Sequence, residues 1–280
     1  MNAFTDKERS ALVRIPVEKW DADDHIACED DVAEEVPVAL EYNGISHAVM
    51  MASPYDLEDF ALGFPLSEGL LKDRSELYDC EVVHGCDGIA VQMEIATERF
   101  VALKDKRRNL TGRTGCGLCG AETLEQAIRH PLAVKSTAHF TAKQIHAGMD
   151  SMKSMQRLQR FTGATHAAAW MNAQGSIELV REDVGRHNAL DKLIGAMATR
   201  RMDFSAGAAL ITSRASYEMV QKSATVGIGF VAAISGPTSL AVRLAQETDL
   251  TLIGFTRNRG HVVYANGQRL DHAETKTGNT

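Results

Sequence analysis

None of the 280 residues falls in an apolar run long enough to cross a membrane. The opening stretch Met1-Asn2-Ala3-Phe4-Thr5-Asp6-Lys7-Glu8 is polar and lacks the pattern of a secretory leader, so a cytoplasmic protein is expected. Basic excess is missing too. Thirty Lys and Arg face 37 Asp and Glu, and the net charge of −7 argues against nucleic-acid binding by bulk charge. No Gly-x-x-x-x-Gly-Lys-Ser/Thr loop is present, nor any internal repeat or low-complexity tract. Five cysteines without a leader indicate a reducing compartment rather than a disulfide framework. What remains, 44% hydrophobic and 24% charged, is the composition of a globular chain with room for a sizeable core and two domains.

The densest chemistry lies in Gly115-Cys116-Gly117-Leu118-Cys119-Gly120, with Arg113 before it and the helix-like run Ala121-Glu122-Thr123-Leu124-Glu125-Gln126-Ala127-Ile128 after it. The glycines let another molecule approach closely. A thiol at a helix start, beside an arginine, is biased toward the nucleophilic thiolate. Cys116 and Cys119 are therefore candidate reactive residues. Two other readings stay open. Zinc would need four ligands, and with no second Cys-x-x-Cys only Cys80, His84 and Cys86 are at hand to complete a set. A thiol-disulfide pair is the other. Cys28, Cys80 and Cys86 read as ordinary buried or loop cysteines.

Charge is unevenly spread. Residues 21–35 hold eight acids and no Lys or Arg, and residues 1–35 are expected to be an acidic, mobile segment. Lys104, Lys106, Arg107, Arg108 and Arg113 crowd the approach to the cysteines, a solvated face or a guide for an anionic partner. Residues 36–134 read as a small α+β domain. Strands over 36–42 and 45–52 flank Asn43-Gly44, which tolerates the positive φ of a type I′ turn. Ser53-Pro54 suggests the N-cap and first turn of a helix running through Phe64. Strands follow at 79–84 and 89–95, and another at 98–103.

Residues 135–280 change grammar. A long Met-rich helix is expected over 141–161, strands over 167–171 and 177–181, and a helix over 187–199, its methionines core filling. Strand and helix then alternate over 208–212, 217–225, 228–235, 239–246 and 250–255, which predicts a parallel sheet with crossover helices. Ligands gather at the carboxyl ends of such strands. Here those ends carry Ser213 and Arg214, then Ser235, Gly236 and Thr238, then Phe255, Thr256, Arg257, Asn258, Arg259 and Gly260. Hydroxyls, free N–H groups and guanidiniums at three strand ends point to an anionic, phosphorylated or nucleotide-bearing ligand. Arg181-Glu182-Asp183-Val184-Gly185-Arg186-His187-Asn188 is a further polar cluster, and His166 and His187 are secondary candidates.

These segments together resemble the FdhD/NarQ family of formate dehydrogenase accessory sulfur carriers. The resemblance rests on Ser53-Pro54-Tyr55-Asp56-Leu57-Glu58-Asp59-Phe60, Cys116-Gly117-Leu118-Cys119-Gly120, Phe161-Thr162-Gly163-Ala164-Thr165-His166, Arg181 through Lys192, Ser213-Arg214-Ala215-Ser216-Tyr217-Glu218 and Gly254-Phe255-Thr256-Arg257. It implies a two-domain α/β protein whose C-terminal domain is cytidine-deaminase-like. It also implies a homodimer that accepts sulfur from a cysteine desulfurase as a persulfide on Cys116. That sulfur would pass to the molybdenum (or tungsten) bis-guanine-dinucleotide cofactor, bound transiently at residues 255–260, before formate dehydrogenase receives it. No resident cofactor or metal is implied. A zinc-dependent deaminase would need a His-x-Glu, and His166-Ala167-Ala168 has no glutamate there.

Overall fold

The computed structural model describes residues 9–108 and 128–271, with main chain alone for 105–108. It begins with a hairpin of β1 (Leu12–Asp21) and β2 (Asp24–Ala33), turning at Ala22 in the left-handed region. Most of the acidic stretch expected as a mobile segment is therefore strand. The neutralising charge that residues 21–35 lack comes across the ribbon, where Arg14 reaches Asp31 at 3.1 Å and Lys19 reaches Asp30 at 3.3 Å.

A four-stranded sheet follows. β3 (Val36–Tyr42) and β4 (Ile45–Ala52) are antiparallel around Asn43 and Gly44, both at positive φ as the turn requires. Helix α1 (Leu57–Ser67) crosses to β5 (Leu77–His84) and β6 (Ile89–Ile95), giving the order β4-β3-β6-β5 with β3 and β6 parallel. Residues 98–103, expected as a strand, lie in α2 (Thr97–Arg108). Phe100 and Leu103, three apart, turn inward together there, and so short an apolar run fits either period.

The second sheet has six strands in the order β13-β12-β11-β10-β8-β9. Its centre, β10 (Gly207–Ile211), β11 (Phe230–Ala233) and β12 (Thr251–Arg257), is parallel as predicted. β8 (His166–Asn172), β9 (Ile177–Asp183) and β13 (Gly260–Ala265) flank it in antiparallel pairing. Alternate residues separate two cores. Ala168, Trp170, Ala209, Ile211, Val231 and Leu252 face α5 (Arg186–Thr199), α6 (Tyr217–Thr225) and α7 (Ser239–Glu247). Ala169, Met171, Leu210, Phe230 and Ile253 face α3 (Ala142–Met155) and β7 (Phe140–Thr141). The latter strand pairs with the terminal β14 (Leu270–Asp271). The helix expected over 141–161 breaks at Gln156, and α4 (Arg157–Thr162) begins anew. The break has a cause: the Glu182 carboxylate accepts the first N–H groups of α4, from Arg157, Leu158 and Gln159, at 2.7, 3.0 and 2.9 Å.

The two sheets share one hydrophobic cluster because α1 and α5 cross at glycines. A Cβ on Gly63 would invade the Asp191 carbonyl, and one on Gly195 the Asp59 carbonyl, so only hydrogen permits this approach.

Candidate functional site

The polar strand ends come together along one edge of the six-stranded sheet. β8 runs antiparallel to β10, so its first residue, His166, joins the carboxyl ends of β9 to β12. Asp183 is paired with His166 across β9, and the Ala167 N–H donates to Thr212 Oγ1 at 2.8 Å. Ser213 is buried and donates its hydroxyl to the Arg214 carbonyl at 3.0 Å, while Arg214 itself is exposed. Ser235 is exposed, and Thr238 is spent as the N-cap of α7, accepting the Ala241 N–H at 3.3 Å.

The end of β12 is irregular. Pairing with β13 slips between Gly254 and Arg257, and Phe255 has φ 52°, a conformation that is strained for a residue with a side chain. Asn258 and Arg259, in the turn to Gly260, are left-handed as well. The outcome is an aromatic ring 40% exposed, lying where a Cβ on Gly236 would come within 2.8 Å of it. The Arg257 guanidinium carbon is 5.9 Å from the ring centre. Between them Thr256 is 1% exposed, and its Oγ1 has no partner among the described residues. The exposed aromatic face and the guanidinium beside it suit a planar ring bearing polar groups.

Most of the cluster from Arg181 to Lys192 is structural. Arg181 pairs with Asp59 at 2.8 Å and Asp56 at 3.2 Å, and Glu182 caps α4. Asp183 and Lys192, both wholly buried, pair at 2.6 Å. They grip the segment before α1. The Ser53 N–H donates to Asp183 at 3.0 Å, the Ser53 carbonyl accepts from Lys192 at 3.0 Å, and its hydroxyl accepts the Val184 N–H at 3.1 Å. Ser53 is thus not the N-cap expected; that position is Asp56, in a left-handed conformation. Next to Lys192 in sequence, Asp191 binds Lys222 at 2.9 Å and the Ser67 hydroxyl at 2.5 Å, and Lys222 also meets Glu68 at 2.8 Å. Burial works against the Lys222 charge, but Asp191 and Glu68 outweigh it and raise its pKa.

Arg186 and His187 are left over, and they face the edge. His187 Nε2 lies 2.5 Å from Glu218 in the first turn of α6. That contact, ahead of the opposing burial, lowers the Glu218 pKa. Burial first, then the Arg186 charge, lowers the His166 pKa and favours its neutral ring. The sequence marked these histidines, but their convergence depends on antiparallel pairing and helix placement that no local pattern states.

Cys116 and Cys119 lie outside the described residues, as do Arg113 and the glycines around them. The chain is fixed just beyond. The Arg129 N–H donates to the Tyr217 hydroxyl at 2.5 Å, which donates to the Arg129 carbonyl at 3.0 Å. The Arg129 side chain binds Glu68 at 2.6 Å. Among the described residues no three His, Cys, Asp or Glu side chains converge as a metal set. Burial, followed by Glu58 and Asp79, pushes the Cys80 thiol up to about 11, which disfavours a ligating thiolate. No helix among the described residues is long and apolar enough to cross a membrane.

The chain is similar to known proteins in sequence and in fold. The chain is 59% identical over 270 residues to a sulfur carrier protein FdhD of Cupriavidus necator, covering 96% of this chain and 94% of that one. It is 53% identical over 241 residues to the sulfur carrier protein FdhD of Bordetella petrii, covering 86% and 87%. A crystal structure assigned as a formate dehydrogenase accessory protein of Desulfotalea psychrophila has the same fold. It superimposes with a TM-score of 0.72 at 23% identity, over 93% of this chain and all of the other. The FdhD/NarQ family description matches residues 33–271, and the chain belongs to that family.

Proposed function

We propose that this protein is a sulfur carrier for formate dehydrogenase, with Cys116 as the persulfide-bearing residue. The Cys116 thiolate would attack the terminal sulfur of a cysteine desulfurase's persulfide. The new S–S bond forms as the old one breaks, and the desulfurase thiolate leaves. The sulfur then passes to a molybdenum or tungsten bis-guanine-dinucleotide cofactor, which is cargo, held transiently at Ser213, Arg214, Ser235, Gly236 and residues 255–260. Cys119 relays sulfur or tunes its neighbour. The protein acts in the cytoplasm as a homodimer.

The observation that carries this reading is the anchor at Arg129. Tyr217 opens α6 at the ligand edge, and it clamps the chain ten residues after Cys119. Ten residues reach at most about 33–36 Å and the thirteen back to Cys116 at most about 43–47 Å, so the tether limits how far either thiol can lie from a ligand seated on that edge. Phe255 and Arg257 supply the flat, cationic face that a guanine would stack on. A cell lacking this protein tests the reading. Cys116→Ala is expected to leave formate dehydrogenase inactive although the variant accumulates, and full activity would remove Cys116 from the role.

A further inference from the structure

The β1–β2 ribbon pairs with no third strand among the described residues. Its root is fastened. The Glu34 N–H donates to the Ala11 carbonyl at 2.9 Å, the Ser10 hydroxyl donates to the Pro54 carbonyl at 3.3 Å, and β2 packs on α4. Toward the tip, residues 18–27 are all exposed. A two-stranded ribbon is marginally stable at best in water unless something packs on it.

Directly opposed residues of an antiparallel ribbon share a face, and successive rungs face opposite ways. The rungs Val13–Val32, Ile15–Asp30, Val17–Cys28 and Lys19–Ile26 therefore line one side. Lys19 and Asp30 neutralise each other there at 3.3 Å. The remaining side chains form an apolar stripe in which Val13, Ile15 and Val32 are 38–39% exposed and Ile26 is 70% exposed. At the tip Trp20 is 62% exposed, its ring stacked on His25 at 4.6 Å. An apolar stripe that ends in an exposed tryptophan has the composition of an interface.

Charge and area identify what covers it. Residues 12–33 carry seven acids against Arg14 and Lys19, a net of −5. α2 carries five basic residues against Glu98 and Asp105, a net of +3, and its Val101 is 51% exposed. One chain thus holds both halves of a complementary contact, while its own ribbon rests on α4. Two ribbons of like charge repel, so each fits the body of the other copy, and the exchange closes a twofold pair. Ten rungs span about 33 Å, and with a width of about 10 Å one face offers about 330 Å². Reciprocal contact removes four such faces from water, about 1,300 Å² in total, inside the range of about 1,200–2,000 Å² for stable interfaces.

We propose that the β1–β2 ribbon is an arm that lies on a second copy of this chain. Its apolar face and Trp20 meet the partner's α2, each copy giving one arm and receiving one. This supplies the surface of the homodimer in the proposed function and rests on that reading.

Sedimentation velocity of the full chain at micromolar concentration, paired with acrylamide quenching of tryptophan, tests it. Trp170 is 2% exposed, so quenching reports on Trp20. The wild type is expected to be a dimer with Trp20 shielded. Ile26→Glu should raise the dissociation constant at least about tenfold and open Trp20 to quencher, while a cooperative melt is kept. A monomeric wild type overturns both the arm and the homodimer, whatever shields Trp20. A dimer that persists in Ile26→Glu with Trp20 open in both proteins overturns the arm and leaves the homodimer standing on another face. If Ile26→Glu does not fold, the wild-type dimer decides alone: Trp20 as accessible as a free indole removes the arm.

Discussion

Gly195→Ala should destabilise this protein although the same change in most helices helps. Replacing glycine by alanine inside a helix normally gains about 1 kcal/mol. At Gly195 the new methyl would overlap the Asp59 carbonyl and stand 2.9 Å from the Gly63 nitrogen. The atoms it meets are main chain, so no side chain can swing away, and α1 and α5 must separate. Overpacking of this kind costs about 1–3 kcal/mol and occasionally more. Separation also loosens the hydrogen bond from the Ser67 hydroxyl on α1 to Asp191 on α5, and the hold of Lys192 on the Ser53 carbonyl just before α1. A net loss of about 3 kcal/mol is expected, or about 6–12 °C in Tm for a chain of this size. Gly148→Ala is the internal comparison. It is also helical, but its methyl would meet the flexible ends of Met171 at 2.6 Å and Leu210 at 2.9 Å. Its change should stay within about 1 kcal/mol. Urea denaturation of both variants checks the argument. Equal effects, or a stabilised Gly195→Ala, would refute the claim that main-chain contact joins the two sheets.

Other outcomes follow from the same geometry. Lys192→Met leaves the wholly buried Asp183 without its partner and should cost about 3–5 kcal/mol by denaturation, with Asp183→Asn in the same chain recovering part of it. Glu218 has a lowered pKa in the folded state, so its contribution is present above the ordinary glutamate range and is lost as pH falls through the lower folded value. Glu218→Gln should therefore flatten the acid limb of a stability-against-pH curve, and an unchanged limb would contradict the contact with His187. Arg257→Ala should weaken guanine-nucleotide binding in calorimetry by about tenfold, and unchanged affinity would move the base away from Phe255.

Local chemistry made much of this legible. Asn43-Gly44 announced its hairpin because only certain residues accept two successive positive φ angles. The alternation of 208–255 announced the parallel strands, and with them the edge where Ser213, Ser235 and Phe255 meet. What escaped was nonlocal. Ser53 looks like an N-cap, but its hydroxyl, N–H and carbonyl are claimed by Val184, Asp183 and Lys192, more than a hundred residues away. Gln156 gives no warning of a helix break, since the carboxylate that restarts the helix comes from Glu182 on β9. Arg186 and His187 read as two members of a dense polar run. Only the positions of Asp183, Asn188, Asp191 and Lys192 in the fold show that their neighbours are spent on the buried joint, while His187 turns to Glu218 on the next helix.

Sulfur on Cys116 is the central claim, and intact-protein mass spectrometry addresses it most directly. The protein would be incubated with a cysteine desulfurase and cysteine, then compared with Cys116→Ala and Cys119→Ala. The account predicts one reducible sulfur added to the wild type and none to Cys116→Ala. Added sulfur that survives Cys116→Ala, or a wild type that gains none and carries zinc instead, would contradict it.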